Sequence, residues 1–307
     1  MRFLHKFSSI NYEYFCLVNG LLLRAKKKSI YTKTLDYLSK YEYILDTMNI
    51  MPKSTEYEDK IWQCWFQGKD KMPEIVKKCT DSVSRYYGDK VIFLEDNKLN
   101  DYIELPDYII EKHNKGIIPN ANFSDICRLF IIAKYGGTWI DSTIYLTDKI
   151  PEDILSADFF TFRSRYTDFL PFINDLKDFK MYCNNFNTPI SIESPYFISA
   201  KPGNPIINGV LNLFLEYWKH ENKLREYLMI DKFFIITVLH NKEYLNQFLN
   251  MPKYYLENVL LLHHVMFEKF DQSLYDNITR INCIHKLTHK NLHRNIYKNS
   301  FLNHILK

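Results

Sequence analysis

Glycine is scarce in this sequence. There are eight glycines among 307 residues, and their spacings contain neither G-x-G-x-x-G nor G-x-x-x-x-G-K-[ST]. Because both motifs use glycine to bring backbone amides against phosphate groups, their absence excludes a standard dinucleotide fingerprint and a P-loop. A bound nucleotide would therefore have to be held by side chains. The metalloprotease motif H-E-x-x-H and the hydrolase motif G-x-S-x-G are also absent, which argues against those two enzyme classes.

Paired cysteines and long apolar runs are lacking as well. None of the six cysteines forms a C-x-x-C pair, which argues against a zinc ribbon or a disulfide framework and favours a reducing compartment. No run of 18 apolar residues occurs, so no membrane-spanning helix is predicted. Residues 1–28 are basic and leucine-rich, but polar residues interrupt them and no small-residue cleavage site follows, so we expect no signal peptide. Together these absences predict a cytoplasmic protein.

The sequence has no large excess of one charge. Forty basic residues stand against 36 acidic ones, a net charge of +4, which is too small to indicate nucleic-acid binding. The charge is unevenly distributed, however, because residues 277–307 contain six Lys and Arg and no Asp or Glu. Such a basic tail suits an anionic ligand or peripheral contact with the inner face of a membrane, and it is equally typical of a solvated helix face.

The hydrophobic pattern predicts an α/β fold, a sheet with flanking helices and helical elaborations at both ends. Residues 1–57 form a predicted helical region, residues 58–150 alternate strands with helices, and residues 151–307 are mainly helical. No clear boundary occurs near 150, so we expect one domain over 58–307. The predicted strands are KIWQCWFQG, KVIFLEDN and TWIDSTIYLT, and the predicted helices include PDYIIEKHNKG and SDICRLFIIAKYGG. The Gly136–Gly137 pair should turn the chain sharply into the strand that follows. An apolar stripe in the N-terminal region predicts a packing helix, and it consists of Leu35, Leu38, Tyr41, Leu45 and Met48. His263 and His264 occur in an apolar run and are predicted to lie in the core.

One predicted helix carries a close pair of opposite charges. With Ser124 as N-cap, Asp125 would lie in the first turn, where the helix dipole favours an anion, and Arg128 would share its face. Asp141 follows near the end of a predicted strand, where α/β sheets bind ligands. A carboxylate in such an apolar run needs a cation. The spacing is therefore consistent either with an internal ion pair that joins helix to strand or with a binding site.

Five sequence elements together resemble a known family. The run FSDICRLFIIAKYGGTWIDSTI resembles the S-D-x-x-R … Y-G-G-x-[WY]-x-D signature of the DXD-type sugar-binding glycosyltransferases. KIWQCWFQG and MPEIVKKC upstream, with IHKLTHK downstream, are similar to the capsular polysaccharide synthesis branch. The pattern covers residues 60–290 and is more distantly similar to the catalytic domain of large clostridial glucosylating toxins. The resemblance implies a GT-A fold, with a nucleotide-binding half over 58–150 and an acceptor-binding, helical half over 151–307.

The resemblance also implies roles for four side chains. Trp65 matches an aromatic residue that stacks on uracil, a role for which an aromatic face is well suited. Asp125 matches a carboxylate that accepts hydroxyls of the donor sugar. Arg128 matches a guanidinium that contacts the sugar and the diphosphate, as its planar donors allow. Asp141 matches the first Asp of the D-x-D element, which contacts the ribose and a divalent metal ion.

The sequence departs from the family pattern at the third position of D-x-D, where Thr143 replaces the second Asp. Mn²⁺ and Mg²⁺ prefer hard oxygen ligands, so the loss of one carboxylate weakens the implied metal site. GT-A enzymes often use a late histidine as a ligand, so His285 is the predicted compensating metal ligand beside Asp141. Lys286 is predicted to contact the diphosphate. If this stretch is helical, an alternative is a zinc site of three histidines at four-residue spacing: His285, His289 and His293.

These features predict a glycosyltransferase of the bacterial type, specifically a retaining hexosyltransferase with a UDP-sugar as the expected donor. The expected acceptor is a glycan or lipid-linked oligosaccharide in capsular or surface polysaccharide synthesis. Two alternatives stay open. The same fold could glycosylate a protein, as toxins and adhesin-modifying enzymes do, or the chain could be a non-catalytic binding member with a degenerate D-x-D element.

Overall fold

A computed structural model describes most of the chain. The described residues are 31–48, 50–165, 167, 173, 175–179, 194–295 and 297–307. Residues 1–30, which include the lysine cluster before the first predicted helix, lie outside the described residues.

The elements follow the chain in a mixed order. The strands are β1 (Ile61–Cys64), β2 (Val91–Leu94), β3 (Gly137–Ile140), β4 (Ile144–Leu146), β5 (Phe159–Thr161), β6 (Phe197–Ala200) and β7 (Ile284–Lys286). The longer helices are α1 (31–38), α3 (Glu74–Tyr87), α4 (Asp107–Asn114), α5 (Asn120–Tyr135), α8 (Pro205–His220), α9 (Met229–His240), α10 (Lys242–Asn250) and α13 (Gln272–Ile281). The shorter helices are α2 (Ile44–Thr47), α6 (Glu152–Leu155), α7 (176–179), α11 (Leu256–Val259), α12 (Leu261–Val265) and α14 (Phe301–Leu306).

Five strands form one mixed sheet in the order β2–β1–β3–β6–β5. β1 runs parallel to β2 and β3, whereas β6 runs antiparallel to β3 and β5. Successive strand residues point to opposite faces, so Trp62 packs in the core with α5, α8 and α9, while Ile61 packs in a second core with α3 and β4. The mixed α/β architecture predicted from the sequence is confirmed.

A glycine pair connects α5 to β3 at a close approach of backbones. Gly136 and Gly137 have φ angles of 66° and 82°, in the left-handed region that only glycine adopts without strain. A Cβ atom at Gly136 would lie 2.8 Å from the carbonyl oxygen of Ala200. The indole N–H of Trp62 donates to the Gly136 carbonyl at 3.0 Å. The sharp reversal predicted at this pair is confirmed, and it lets β3 enter the centre of the sheet.

The single strand predicted for TWIDSTIYLT is wrong, because the chain turns after Ile140. The amide of Ile144 donates to the Asp141 carbonyl at 2.9 Å, which closes a tight turn between β3 and β4. β3 stays in the main sheet, while β4 pairs with β7 in a separate antiparallel ladder. Asp141 therefore lies in a turn just after β3 and is not enclosed within a strand.

The predicted start of α5 is also wrong. The helix begins at Asn120, after Pro119, and Ser124 lies inside it. A proline at this position needs no amide partner and has a fixed φ angle, which suits it to a helix start. Asp125 consequently lies in the second turn, where the helix dipole acts weakly. The predicted pairing of Asp125 with Arg128 does not depend on that start and is retained.

The ends of the chain differ in detail from the predicted helices. The predicted apolar stripe of the N-terminal region is buried at Leu35, Leu38, Tyr41 and Leu45, but the helix is divided into α1, a 3₁₀ turn and α2. In the C-terminal half, Asn204 is the N-cap of α8, since its side chain accepts from two backbone amides. The predicted domain bounds at 57 and 150 stay predictions.

Candidate active site

A cleft of about 610 Å³ lies at the carboxyl ends of β1 and β3. Six segments line it: the residues after β1, the first turns of α5, the end of β3 with the turn that follows it, the residues before β6, the residues around the start of α9, and the chain that leaves β7. Ligands in α/β sheets bind at this edge because the connections there diverge and leave a crevice. The cleft contains Trp65, Asp125, Arg128, Asp141 and Lys286, five of the six site residues predicted from the sequence.

Arg128, on the buried side of α5, lies between two carboxylates. Its Nη2 atom is 3.4 Å from Oδ1 of Asp125 and 3.4 Å from Oδ1 of Asp141. Arg128 also donates to the Ser124 hydroxyl at 3.3 Å and to the Pro195 carbonyl. The internal ion pair that the spacing predicted is therefore present, and it forms part of the cleft wall. The two alternatives left open by the sequence, an internal ion pair and a binding site, are therefore compatible with each other.

Asp141 is held at the floor of the cleft by two hydrogen-bond donors and by the charge of Arg128. The indole N–H of Trp139 donates to its Oδ1 at 3.0 Å, and the Lys286 ammonium donates to its Oδ2 at 2.8 Å. Burial acts to raise the pKa of Asp141, but the charges of Lys286 and Arg128 and these hydrogen bonds outweigh it and hold that pKa well below its ordinary value. Asp141 is therefore ionised throughout the physiological pH range.

The pKa of Asp125 is shifted in the opposite direction from that of Asp141. Burial raises the pKa of Asp125 to about 6, which the Arg128 charge partly counteracts and the nearby Asp141 charge reinforces. Its side chain is 11% exposed, compared with 25% for Asp141. Two carboxylates that share Arg128 therefore titrate in different pH ranges, and Asp125 is the one that can exchange a proton near neutral pH.

Lys286 reaches Asp141 because of the β4–β7 ladder. Lys286 is directly opposite Ile144 in the ladder, and the next amide, of Leu287, donates to the Thr143 carbonyl at 2.9 Å. The ladder thus joins the C-terminal segment to the turn that carries Asp141. The Lys286 ammonium also lies 5.0 Å from the ring centre of Tyr196. The predicted placement of Lys286 in the site is supported by this geometry.

His285 is not in the cleft. It precedes Lys286 in β7, so its side chain points to the opposite face of the ladder, where it is fully buried and its Nε2 lies 3.2 Å from the Thr147 hydroxyl. Burial lowers the pKa of His285 to about 4, so the imidazole is neutral. The structure does not bring His285 to Asp141, and it gives no support to the predicted metal-ligand role. The alternative three-histidine site is also wrong, because residues 284–286 form a strand and not a helix.

The residues present do not fit the divalent metal that the resemblance implies. Thr143 supplies no carboxylate, and both Asp141 oxygens already accept from charged or indole donors. Within the part of the chain that the structure describes, no three His, Cys, Asp or Glu side chains are close enough to hold a metal ion. A Mn²⁺ or Mg²⁺ site normally needs one or two free carboxylates besides phosphate oxygens. This donor set is better suited to an anion held by cations.

Trp65 forms one wall of the cleft, immediately after β1. Its backbone amide donates to the Leu94 carbonyl at 3.1 Å, and its ring meets the His289 ring edge-to-face at 5.4 Å. The indole nitrogen is buried and has no hydrogen-bond partner among the described residues. A buried donor without a partner is unusual in a folded protein. The stacking role of Trp65 stays a prediction, and its position in the cleft is compatible with it.

Two further site residues were missed at the sequence level. Trp139 orients Asp141 by its hydrogen bond and also lies under the Arg128 guanidinium at 5.2 Å. A signal for it was present, because it is the aromatic position of Y-G-G-x-[WY]-x-D. Tyr196 had no such signal, since it reaches the cleft through the pairing of β6 with β3.

The histidine pair predicted to lie in the core is placed differently. His263 is half-buried and His264 is exposed, and both line a smaller cavity near the C-terminus. They are adjacent on α12, and neighbouring residues of a helix do not share one face, so the packed side of this helix does not cover both side chains. Concerning membranes, no helix in the described part of the chain combines the length and the hydrophobicity needed to cross a bilayer.

Comparisons with known proteins complete the description of the site. A search of curated proteins gave no significant match. Among solved structures, one similar chain is titled "PaToxG Glycosyltransferase", with 15% sequence identity, coverage of 83% of this chain and 95% of that chain, and a TM-score of 0.38. That TM-score is too low to support an inference about this protein. The family model described as "Capsular polysaccharide synthesis protein" matches residues 22–305. The chain therefore belongs to the capsular polysaccharide synthesis protein family.

Proposed function

We propose that this protein is a glycosyltransferase that uses a nucleotide diphosphate sugar, with UDP-sugar as the expected donor. The observation that carries the proposal is the cluster of Asp125, Arg128, Asp141 and Lys286, which lies in a cleft at the carboxyl edge of the sheet. Carboxylates accept sugar and ribose hydroxyls, and guanidinium and ammonium groups bind phosphates. The cluster thus contains the groups needed for both halves of such a donor.

Each group has a proposed role in donor binding. The base would stack on Trp65, which forms one wall of the cleft. The ionised Asp141 would accept a ribose hydroxyl, and Asp125 a hydroxyl of the sugar. Arg128 and Lys286 would lie beside the diphosphate. The role of Asp141 agrees with its lowered pKa, because an ionised carboxylate offers both of its oxygens as hydrogen-bond acceptors.

The proposed transfer needs stabilisation of a departing diphosphate. The bond between the anomeric carbon and the phosphate oxygen breaks, a bond to the acceptor hydroxyl oxygen forms, and the acceptor proton passes to the departing phosphate. Fixed cations beside that phosphate stabilise the charge that develops on it. Retention of the anomeric configuration and a hexose as the transferred sugar are parts of the proposal that rest on the family resemblance.

Membership of the capsular polysaccharide family supports a glycan as the acceptor, and we propose a glycan or a lipid-linked oligosaccharide at the inner face of the membrane. Two exposed residues at the cleft rim, Tyr227 and Leu228, fit this proposal, because sugar rings pack against aromatic and aliphatic faces. The basic segment 277–307 would add attraction to anionic lipids.

The first experiment is a thermal-shift screen of nucleotide sugars, followed by donor hydrolysis with those that stabilise the protein. Asp141→Asn is expected to lower turnover by at least about 10²-fold, the scale of a lost preorganised electrostatic contact. Asp81→Asn is the matched control, since Asp81 is exposed on α3 away from the cleft. Turnover by a folded Asp141→Asn protein equal to that of the control would contradict the proposal.

One observation favours a second candidate, a protein that binds a nucleotide sugar without turnover. Both Asp141 oxygens are already engaged, and Thr143 provides no second carboxylate. Under this candidate the thermal shift would occur, but neither donor hydrolysis nor transfer to a capsular glycan fraction would be detected. The two assays together therefore distinguish the two functions.

A further inference from the structure

We propose that this cleft binds its nucleotide diphosphate without a divalent metal ion, and that the Lys286 ammonium is the cation which takes the metal's place beside Asp141. The inference rests on the proposed function, since it concerns the diphosphate of the same donor. It differs from what the family resemblance implies, namely a metal held by the D-x-D element.

Both carboxylate oxygens of Asp141 already have partners. Its Oδ2 atom, the oxygen not directed to Arg128 and Trp139, is 2.8 Å from the Lys286 ammonium. A metal ion on that oxygen would stand within about 5 Å of the ammonium, a distance at which like charges repel strongly in a partly buried site. A metal could bind only if Lys286 left the position that the β4–β7 ladder gives it.

The β4–β7 ladder sets the backbone position of Lys286. Lys286 lies in a ladder with Ile144, and the Leu287 amide extends the ladder to Thr143, the residue that replaces the second Asp. Thr143, where the family pattern has an Asp, is therefore next to the residue that pairs with Lys286 in the ladder. The site has lost a carboxylate ligand where it holds a fixed cation, so the charge that a metal would supply is present without one.

The Lys286 ammonium can bind Asp141 and a phosphate group at the same time. A lysine ammonium has three donors, so Lys286 can keep its hydrogen bond to Asp141 and still donate to phosphate oxygens. The cluster itself is balanced, with two carboxylates and two cations. Lys290 also lines the cleft, is exposed, and makes no ion pair with any described residue. The negative charge of a bound diphosphate would therefore lie near three cations, Lys286, Lys290 and Arg128.

The test measures UDP binding by calorimetry and donor hydrolysis, each in EDTA and in excess Mn²⁺. We expect the UDP affinity of the wild-type protein to differ by less than about threefold between the two buffers, and hydrolysis to persist in EDTA. Lys286→Met should weaken UDP binding by about 10- to 150-fold in both buffers, as expected for loss of a charged hydrogen bond. Lys286→Arg should recover part of that affinity.

Lys242→Met is the matched control, because Lys242 is exposed on α10 and distant from the cleft. If UDP binding or hydrolysis occurs only with Mn²⁺, the metal-free inference is wrong while the glycosyltransferase proposal stands. If Lys286→Met binds UDP as well as Lys242→Met does, Lys286 is not the diphosphate cation. If no nucleotide diphosphate binds in either buffer, the proposed function fails and this inference fails with it. The wild-type comparison needs no variant, so it remains decisive if Lys286→Met does not fold.

Discussion

The Arg128 guanidinium is the group on which both cleft carboxylates depend, and replacing it with methionine is expected to destabilise the protein. Methionine keeps much of the length and apolar volume of the arginine stem, so the change removes the charge and its hydrogen bonds with little loss of packing. The bonds lost are those to Asp125, Asp141, Ser124 and the Pro195 carbonyl.

The size of the effect follows from which charge is left unpaired. Removing one partner of a buried ion pair costs about 3–5 kcal/mol. Asp141 would keep Lys286 at 2.8 Å, so Asp125 is the carboxylate left without a cation. Because the pKa of Asp125 is about 6 even with Arg128 present, it would rise further in the variant, and protonation would limit the loss. We therefore expect about 3 kcal/mol at neutral pH, the lower end of that range.

The assay is urea-induced unfolding of Arg128→Met at neutral pH and at mildly acidic pH. The loss of unfolding free energy should be smaller at the acidic pH, where Asp125 is protonated. Arg85→Met is the control, since Arg85 is exposed on α3. A double variant, Arg128→Met with Asp125→Asn, should recover part of the stability because it removes the unpaired charge.

Two results would refute this reasoning. One is an Arg128→Met protein whose unfolding free energy lies within about 0.5 kcal/mol of the wild-type value, the range of an ordinary surface substitution. The other is a double variant no more stable than Arg128→Met alone, which would mean that Asp125 does not depend on Arg128.

Three other changes give distinct outcomes. Trp65→Ala should weaken UDP binding by ~1–3 kcal/mol with little change in melting temperature. Calorimetry measures the affinity and a melting curve measures the stability. Unchanged UDP affinity would contradict the stacking role. His285→Ala should lower the free energy of unfolding by about 2–5 kcal/mol through the cavity it leaves but keep the turnover per folded molecule, whereas a metal ligand would show the reverse. Asp125→Asn should alter the pH dependence of stability. Because the pKa of Asp125 is raised in the folded state, that state binds the proton more tightly, and the wild-type unfolding free energy falls as pH rises from about 4 to about 6. That fall should be smaller in the variant. An identical pH profile for the two proteins would show that Asp125 titrates normally.

Local patterns accounted for much of what was predicted. The three-residue spacing of Asp125 and Arg128 places them on one face of any helix, so their pairing survived an error in where the helix begins. The Gly136–Gly137 pair indicated a sharp reversal because few other residues adopt that backbone conformation. The α/β class followed from the alternation of short apolar runs with amphipathic segments, and it needed no knowledge of which strands pair.

The errors share a cause, which is that pairing between distant segments is not encoded in local periodicity. Both halves of TWIDSTIYLT look like one strand, and they separate only because β4 pairs with β7 far along the chain. The same pairing decides the C-terminal histidine. Once 284–286 is a strand, His285 and Lys286 must face opposite sides, so no more than one of them can reach the cleft.

The sequence by itself determined the chemical inventory of this protein: the carboxylates, the arginine, the tryptophan and the missing second Asp at Thr143. Only the tertiary structure decided how that inventory is used. It placed the Lys286 ammonium on Asp141 and buried His285 against Thr147. The reason is physical, because a side chain's neighbours across a ladder are set by strand register, and register depends on the whole packed sheet.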